Sequence, residues 1–152
     1  MKPQILLLAL SLVCTSAWAD EDVSKVNGRI SADAGKTYGA LETVNGSIEI
    51  GAGAQTKNVE TVNGGISIGD NARTGGVETV NGSITLGQKV TVSGGLETVN
   101  GSIGLAGTEL GKGIETVNGD ITVGVGSHVR GGIEVSKPSF GFHSSPRASR
   151  VW

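Results

Sequence analysis

An 18-residue repeat constrains this chain more than any other feature of its sequence. The string LETVNGSI, or a close variant, begins at residues 41, 59, 77, 96 and 114, with a degenerate copy, VSKVNGRI, at residue 23 and a fading one at residue 133. The Asn-Gly pairs start at residues 27, 45, 63, 81, 100 and 118, so successive copies are 18 or 19 residues apart. One such unit cannot bury an apolar face alone, whereas stacked units can, which is the principle of a solenoid.

Each unit has the composition and the alternation of β-strands. Val, Ile and Thr are abundant, and apolar and polar residues alternate after the Asn-Gly pair, as in Ile48–Ile50 and Ile84–Leu86. Glycine supplies 26 of the 152 residues and separates these runs. We therefore predict an all-β fold, a single-stranded parallel β-helix (β-solenoid) with about six coils of 18–19 residues. A triangular coil of three short strands and a flattened two-sided coil both fit the repeat.

Stacking turns each position of the repeat into a column of like residues about 4.8 Å apart. Two aliphatic columns are predicted to form the core, because aromatic residues make up only 3% of the chain. They are Val44, Val62, Val80, Val99 and Val117, and Ile48, Ile66, Ile84, Ile103 and Ile121. Leu41 and Val44 have opposite parity, so both face inward only if the strand bulges between them. The threonines at residues 43, 61, 79, 98 and 116 then form a surface column, and ice binding is a minor hypothesis for it.

An asparagine column is predicted at one corner of the coil. Its members are Asn45, Asn63, Asn81, Asn100 and Asn118. Their amides can hydrogen-bond from coil to coil, as in stacked amide ladders. The glycine after each asparagine is predicted to adopt a positive φ. The column is interpreted as structural.

A glutamate column is the strongest candidate for chemistry. Its members are Glu42, Glu60, Glu78, Glu97 and Glu115, followed by Glu134. Like charges at this spacing repel by about 1 kcal/mol per pair in water. The column is either a solvated acidic edge, whose negative charge is partly offset by Lys57, Arg73 and Lys112, or a row that collects divalent cations. The solvated edge is favoured, because the chain contains no known calcium-binding repeat.

The beginning of the chain has the pattern of a secretory signal peptide. Residues 1–19 contain a basic residue at position 2, an apolar run over residues 5–13 and an Ala-Trp-Ala motif, which predicts cleavage after Ala19. The run is too short to span a bilayer, which needs about 20 residues. A lipoprotein signal acylated on Cys14 is a minor alternative. Cleavage after Ala19 leaves no cysteine, so neither a disulfide nor a thiolate metal site is expected.

The end of the chain also departs from the repeat. Residues 137–152 contain three basic residues, no acidic residue, and Phe140, Phe142 and Trp152. A loosely ordered tail is favoured over a cap in which the phenylalanines fold over the last coil. The predicted organisation is a signal peptide over residues 1–19, a solenoid over residues 20–136 and this tail or cap.

The sequence argues against catalysis and against nucleic-acid binding. The formal net charge is −2, without a basic patch in the repeats. His128 and His143 are the two histidines, and neither has a partner at a catalytic spacing. No P-loop, His-Glu-x-x-His or Gly-x-Ser-x-Gly motif is present. We predict a protein that is not an enzyme, with no catalytic residue, no cofactor and no transmembrane segment after cleavage.

The ETVNG-[SGD]-I units that follow a signal peptide resemble the bacterial DUF4097 family, whose members are described as β-helical adhesins. The resemblance covers about residues 23–135 and implies a role in the cell envelope, without catalytic residues to transfer. We predict an exported structural or interaction scaffold, in the periplasm or at the cell surface, whose partner is an envelope polysaccharide or a surface protein. A polymer that self-associates through its coil ends is the first alternative. An enzyme that modifies envelope polysaccharide is the second.

Overall fold

The computed structural model describes residues 21–136, and the regular structure of this range consists of short parallel β-strands. The wide sheet contains, in order, β1 (Glu21–Asn27), β3 (Tyr38–Asn45), β5 (Val59–Asn63), β8 (Val77–Asn81), β11 (Leu96–Asn100), β14 (Ile114–Asn118) and β17 (Ile133–Val135). The second sheet contains β2 (Ile30–Ala32), β4 (Ile48–Ile50), β6 (Ile66–Ile68), β9 (Ile84–Leu86), β12 (Ile103–Leu105) and β15 (Ile121–Val123). The third sheet contains β7 (Arg73–Thr74), β10 (Thr91–Val92), β13 (Glu109–Leu110) and β16 (His128–Val129).

The chain visits the three sheets in turn, and each strand pairs in parallel with the strand one coil away. In the wide sheet, for example, Glu60 is aligned with Glu42 on one side and with Glu78 on the other. This is a β-solenoid of about six turns, as predicted. Its three sheets select the triangular coil over the two-sided one. No helix in residues 21–136 is long and apolar enough to cross a membrane.

In the second sheet the alternating apolar residues face the core, as the sequence predicts. Ile48, Ile66, Ile84 and Ile103 are fully buried, and the residue after each of them points outward. The predicted isoleucine column is therefore part of the core. Ile121, in the last coil, is only partly buried.

In the wide sheet the prediction that the valines face the core was wrong, because the residue before each valine faces the core instead. The strands alternate without a bulge between Leu41 and Val44, so the first and third residues of each LETVN unit face the core. Thr43 is 1% exposed and Thr61 4%, whereas the valines of this sheet are partly exposed and Val117, near the end of the solenoid, is 40% exposed. The predicted valine column thus lies on the outer surface, and the threonine column lies inside. An ice-binding role loses its basis, because it requires the threonines at the surface.

The buried threonines are accommodated because their hydroxyl groups have acceptors within the coil stack. The Oγ1 of Thr61 donates to the carbonyl oxygen of Gly46 at 3.0 Å, and that of Thr79 donates to Gly64 at 3.2 Å. A buried hydroxyl that is hydrogen-bonded carries little of the usual desolvation cost. Thr116, near the end of the solenoid, is the exception, since its Oγ1 has no hydrogen-bond partner among the described residues.

From the second coil onward, the corner after each asparagine requires glycine for close packing, whereas Gly28 in the first coil has open space and a positive φ. Among the corner glycines that the structure describes, only Gly28 (φ 119°) and Gly64 (φ 159°) have a positive φ, so the predicted conformation was wrong for the others. A Cβ atom on Gly82 would overlap the carbonyl oxygen of Gly64 in the preceding coil. The same overlap would occur at Gly46, Gly64, Gly101 and Gly119. Successive coils therefore touch backbone to backbone at this corner.

The asparagine column forms a hydrogen-bonded ladder beside these glycines. The Nδ2 of Asn45 donates to the Oδ1 of Asn27 at 3.0 Å. Bonds of the same length link Asn63 to Asn45, Asn81 to Asn63, Asn100 to Asn81 and Asn118 to Asn100. The ladder spans the solenoid and fixes the register of the coils at this corner.

Candidate functional site

The outer side of the wide sheet carries two parallel rows of side chains, which we call the Glu–Val face. The Glu row contains Glu42, Glu60, Glu78, Glu97, Glu115 and Glu134, aligned from strand to strand. The Val row contains Val44, Val62, Val80, Val99 and Val117, two residues further along each strand. Residues two apart on a strand share a face, so both rows lie on the same side of the sheet.

A groove of about 170 Å³ lies along this face. Both rows line it, from Glu60 in the third described coil to Glu134 in the last strand. Thr43 on β3 also lines it, so the groove crosses six strands of the wide sheet instead of being confined to one coil. A ligand that fits it is elongated and runs along the axis of the solenoid.

The middle of the Glu row is partly desolvated and lies in a negative field. Burial raises the pKa of Glu60 above its ordinary value of 4.5, and the neighbouring carboxylate of Glu42 adds to this shift. Burial also raises the pKa of Glu78, with a further contribution from Glu60. The pKa of Glu97 is raised by burial first and then by Glu78 and Glu115, against a smaller opposing effect of Lys112. A positive charge on a ligand would relieve this repulsion.

The basic residues that were predicted to offset the row are divided between two sides of the coil. Lys112 borders a second cavity together with Glu78, Glu97 and Glu115, beside the Glu row. Lys57 and Arg73 instead line a cavity on the side of the third sheet. Lys112 is the basic residue that opposes the raised pKa of Glu97 in the Glu row.

The arrangement of the Glu row does not favour a site for a divalent cation. Within residues 21–136 no three acidic, histidine or cysteine side chains form a group suited to a metal ion. The row provides one carboxylate per coil in a line, whereas Ca²⁺ requires six to eight converging oxygen ligands. The row is better described as an extended charged surface than as a metal site.

The third sheet also presents an outward row, which contains the one described histidine. His128 is aligned with Glu109, and further back in the same row lie Thr91 and Arg73. Glu109 and His128 are 19 residues apart, which is the length of one coil, and this spacing is the signal in the sequence that could have predicted their alignment. His143, Cys14, the predicted signal peptide and the predicted tail or cap lie outside the described residues.

No family model, no curated protein and no solved structure matches this chain. The resemblance to the DUF4097 family thus stays a prediction that depends on the repeat motif. The Glu–Val face is the feature of the described residues that best supports a proposal about function.

Proposed function

We propose that this protein is an exported interaction scaffold of the cell envelope, and that its Glu–Val face binds an extended partner with a regular repeat. The single observation that carries this proposal is the in-register alignment of identical outward side chains, such as Glu60, Glu78 and Glu97. Each coil adds one carboxylate and one valine about 4.8 Å from the last. A partner that repeats along its own length makes the same weak contact many times, and linked contacts add up to a high avidity.

The charge and the apolar character of the face favour a polysaccharide that carries free amino groups. The carboxylates of the Glu row pair with ammonium groups, and the neighbouring Val row accepts the apolar surface of a sugar ring. Within residues 21–136 the one aromatic residue is Tyr38, which packs against the core. Stacking of sugar rings on aromatic side chains is therefore replaced by contact with valine.

Two features of the sequence support the location in the envelope. Residues 1–19 have the pattern of a secretory signal peptide. The repeat resembles a family described as adhesins. On this proposal the protein binds without catalysis and without a cofactor.

The binding test uses an immobilised glucosamine polymer and its N-acetylated counterpart, which lacks the positive charge. We expect the wild-type protein to bind the amino polymer in preference to the acetylated one. The triple variant E60Q/E78Q/E97Q should bind it at least about tenfold more weakly, equivalent to about 1.4 kcal/mol. The matched control is E109Q, which removes an outward carboxylate from the third sheet and should bind like the wild type.

Binding of the amino polymer should also weaken in acid. As the pH falls through the raised pKa values of Glu60, Glu78 and Glu97, which lie above 4.5, these side chains take up protons and lose their negative charge.

Equal binding by the triple variant and the wild type would contradict the role of the Glu row. Equal binding of the acetylated polymer would contradict the role of charge, and binding to neither polymer would contradict the polysaccharide partner. Shortening of the polymer during the assay would favour the alternative of a polysaccharide-modifying enzyme.

A further inference from the structure

The first coil departs from the repeat at a position that faces the core. The register aligns Lys25 with Thr43, in the column whose threonines are buried in the coils that follow. Lys25 itself is exposed, and its Nζ donates to the carbonyl oxygen of Arg29 at 2.9 Å. It is the one charged residue of this column among the described residues, and it stands on β1, which is an edge strand of the wide sheet.

The opposite edge of the wide sheet exposes residues that belong to the core columns. On β17, Ile133 and Val135 are aligned with the buried residues Ile114 and Thr116. They are 50% and 47% exposed, because no described strand follows β17 in the sheet. An unpaired edge with exposed apolar side chains is a template for another β-strand.

From Val23 onward β1 has the register of the other strands of the wide sheet, so this part of β1 matches the opposite edge at β17. If β1 of a second copy continued the stack beyond β17, Val23 would lie over Ile133, and Ser24 would lie over Glu134. The first contact is between apolar side chains, and the second avoids another repulsion between glutamates. The third contact would bury the ammonium group of Lys25 against Val135. A buried charge without a partner is strongly unfavourable.

We propose that the two edges of the wide sheet are complementary surfaces for a second copy of this chain, and that Lys25 prevents them from pairing. A charged side chain turned toward the core on an edge strand is one of the devices by which β-proteins block edge-to-edge association. The contact is head to tail and does not close on itself, so without Lys25 it propagates into a filament. This proposal is independent of the ligand of the Glu–Val face.

The test replaces Lys25 with the threonine that the next five coils carry at this position. The wild-type protein should sediment as a monomer at every concentration examined. K25T should form assemblies whose mass increases with concentration, and electron microscopy should show them as filaments. K25R keeps the positive charge and should remain monomeric. K25V provides a second uncharged variant, and circular dichroism establishes that each variant keeps its β-structure.

The double variant K25T/V135K locates the contact at the other edge, because it places a charge on β17. It should return to the monomer. The proposal is wrong if both K25T and K25V stay monomeric when folded, or if wild type and K25R assemble as readily as K25T. Filaments of the double variant, or amorphous aggregates of K25T in place of filaments, would equally overturn the head-to-tail contact.

Discussion

Replacement of Leu96 by alanine should lower the free energy of unfolding by about 2–5 kcal/mol. Leu96 is fully buried on β11, where it lies between Val77 and Ile114 of the neighbouring coils. The substitution removes the apolar contacts of the side chain and leaves a cavity that the rigid stack of coils cannot close. Urea denaturation followed by circular dichroism measures the loss.

The matched control for this prediction is V99A, in the same strand. Val99 belongs to the outward Val row and is only partly buried, so its truncation should cost less, about 1 kcal/mol. A loss as large as that of L96A would mean that the valine column lies in the core. It would thereby contradict the facing of the whole Glu–Val face.

Replacement of Gly82 by alanine should destabilise the protein by about 1–3 kcal/mol or more, as expected for overpacking. The new Cβ would overlap the carbonyl oxygen of Gly64, and the two coils would have to separate where they now touch. Separation would also strain the neighbouring amide link between Asn81 and Asn63. Thermal unfolding should show a lower midpoint for G82A.

The control for the corner is G104A, which lies outward in the second sheet. A Cβ at Gly104 meets no atom within 4 Å. Alanine there should be neutral or slightly stabilising, because it restricts the unfolded chain more than glycine does. If G82A were as stable as G104A, the close approach of the coils at the corner would be wrong.

The sequence predicts the solenoid and the second sheet well, because the 18-residue period indicates stacked coils and the Ile-x-Ile pattern indicates which residues face the core. The period alone leaves both a triangular and a two-sided coil open. The wide sheet is ambiguous. In the first four residues of the LETVN unit, each of the two possible faces contains one apolar and one polar residue, so only the charge of the glutamate distinguishes the outward face from the inward one. The hydrogen bond from Thr61 to Gly46 stabilises the inward threonine, and that contact joins residues 15 apart in different coils. A single coil, considered alone, does not reveal it.

The same ambiguity explains which part of the candidate site was missed. The Glu row follows directly from the repeat, whereas the valines beside it were assigned to the core. Since Glu60 and Val62 are two residues apart on one strand, placing the glutamates outside also places the valines outside. That constraint was available in the sequence.

Two other features required the stacked structure. The corner glycines were expected from the sequence, but the overlap that requires them appears only when one coil lies on the next. In the sequence, Lys25 is only one of several residues by which the degenerate first copy differs from the other copies of the repeat. It becomes an edge charge in a core column only after the register aligns it with Thr43.

The measurement that tests the central claim most directly is thiol labelling of two adjacent positions in the native wide sheet. The claim is that this sheet turns its glutamates and valines outward as one continuous surface and its threonines inward. In a chain with Cys14 replaced by serine, V80C should react rapidly with a charged thiol reagent, whereas T79C should react only after unfolding, because labelling requires access to the thiolate. Equal rates, or faster labelling of T79C in the folded protein, would contradict the orientation of the Glu–Val face and the function proposed for it.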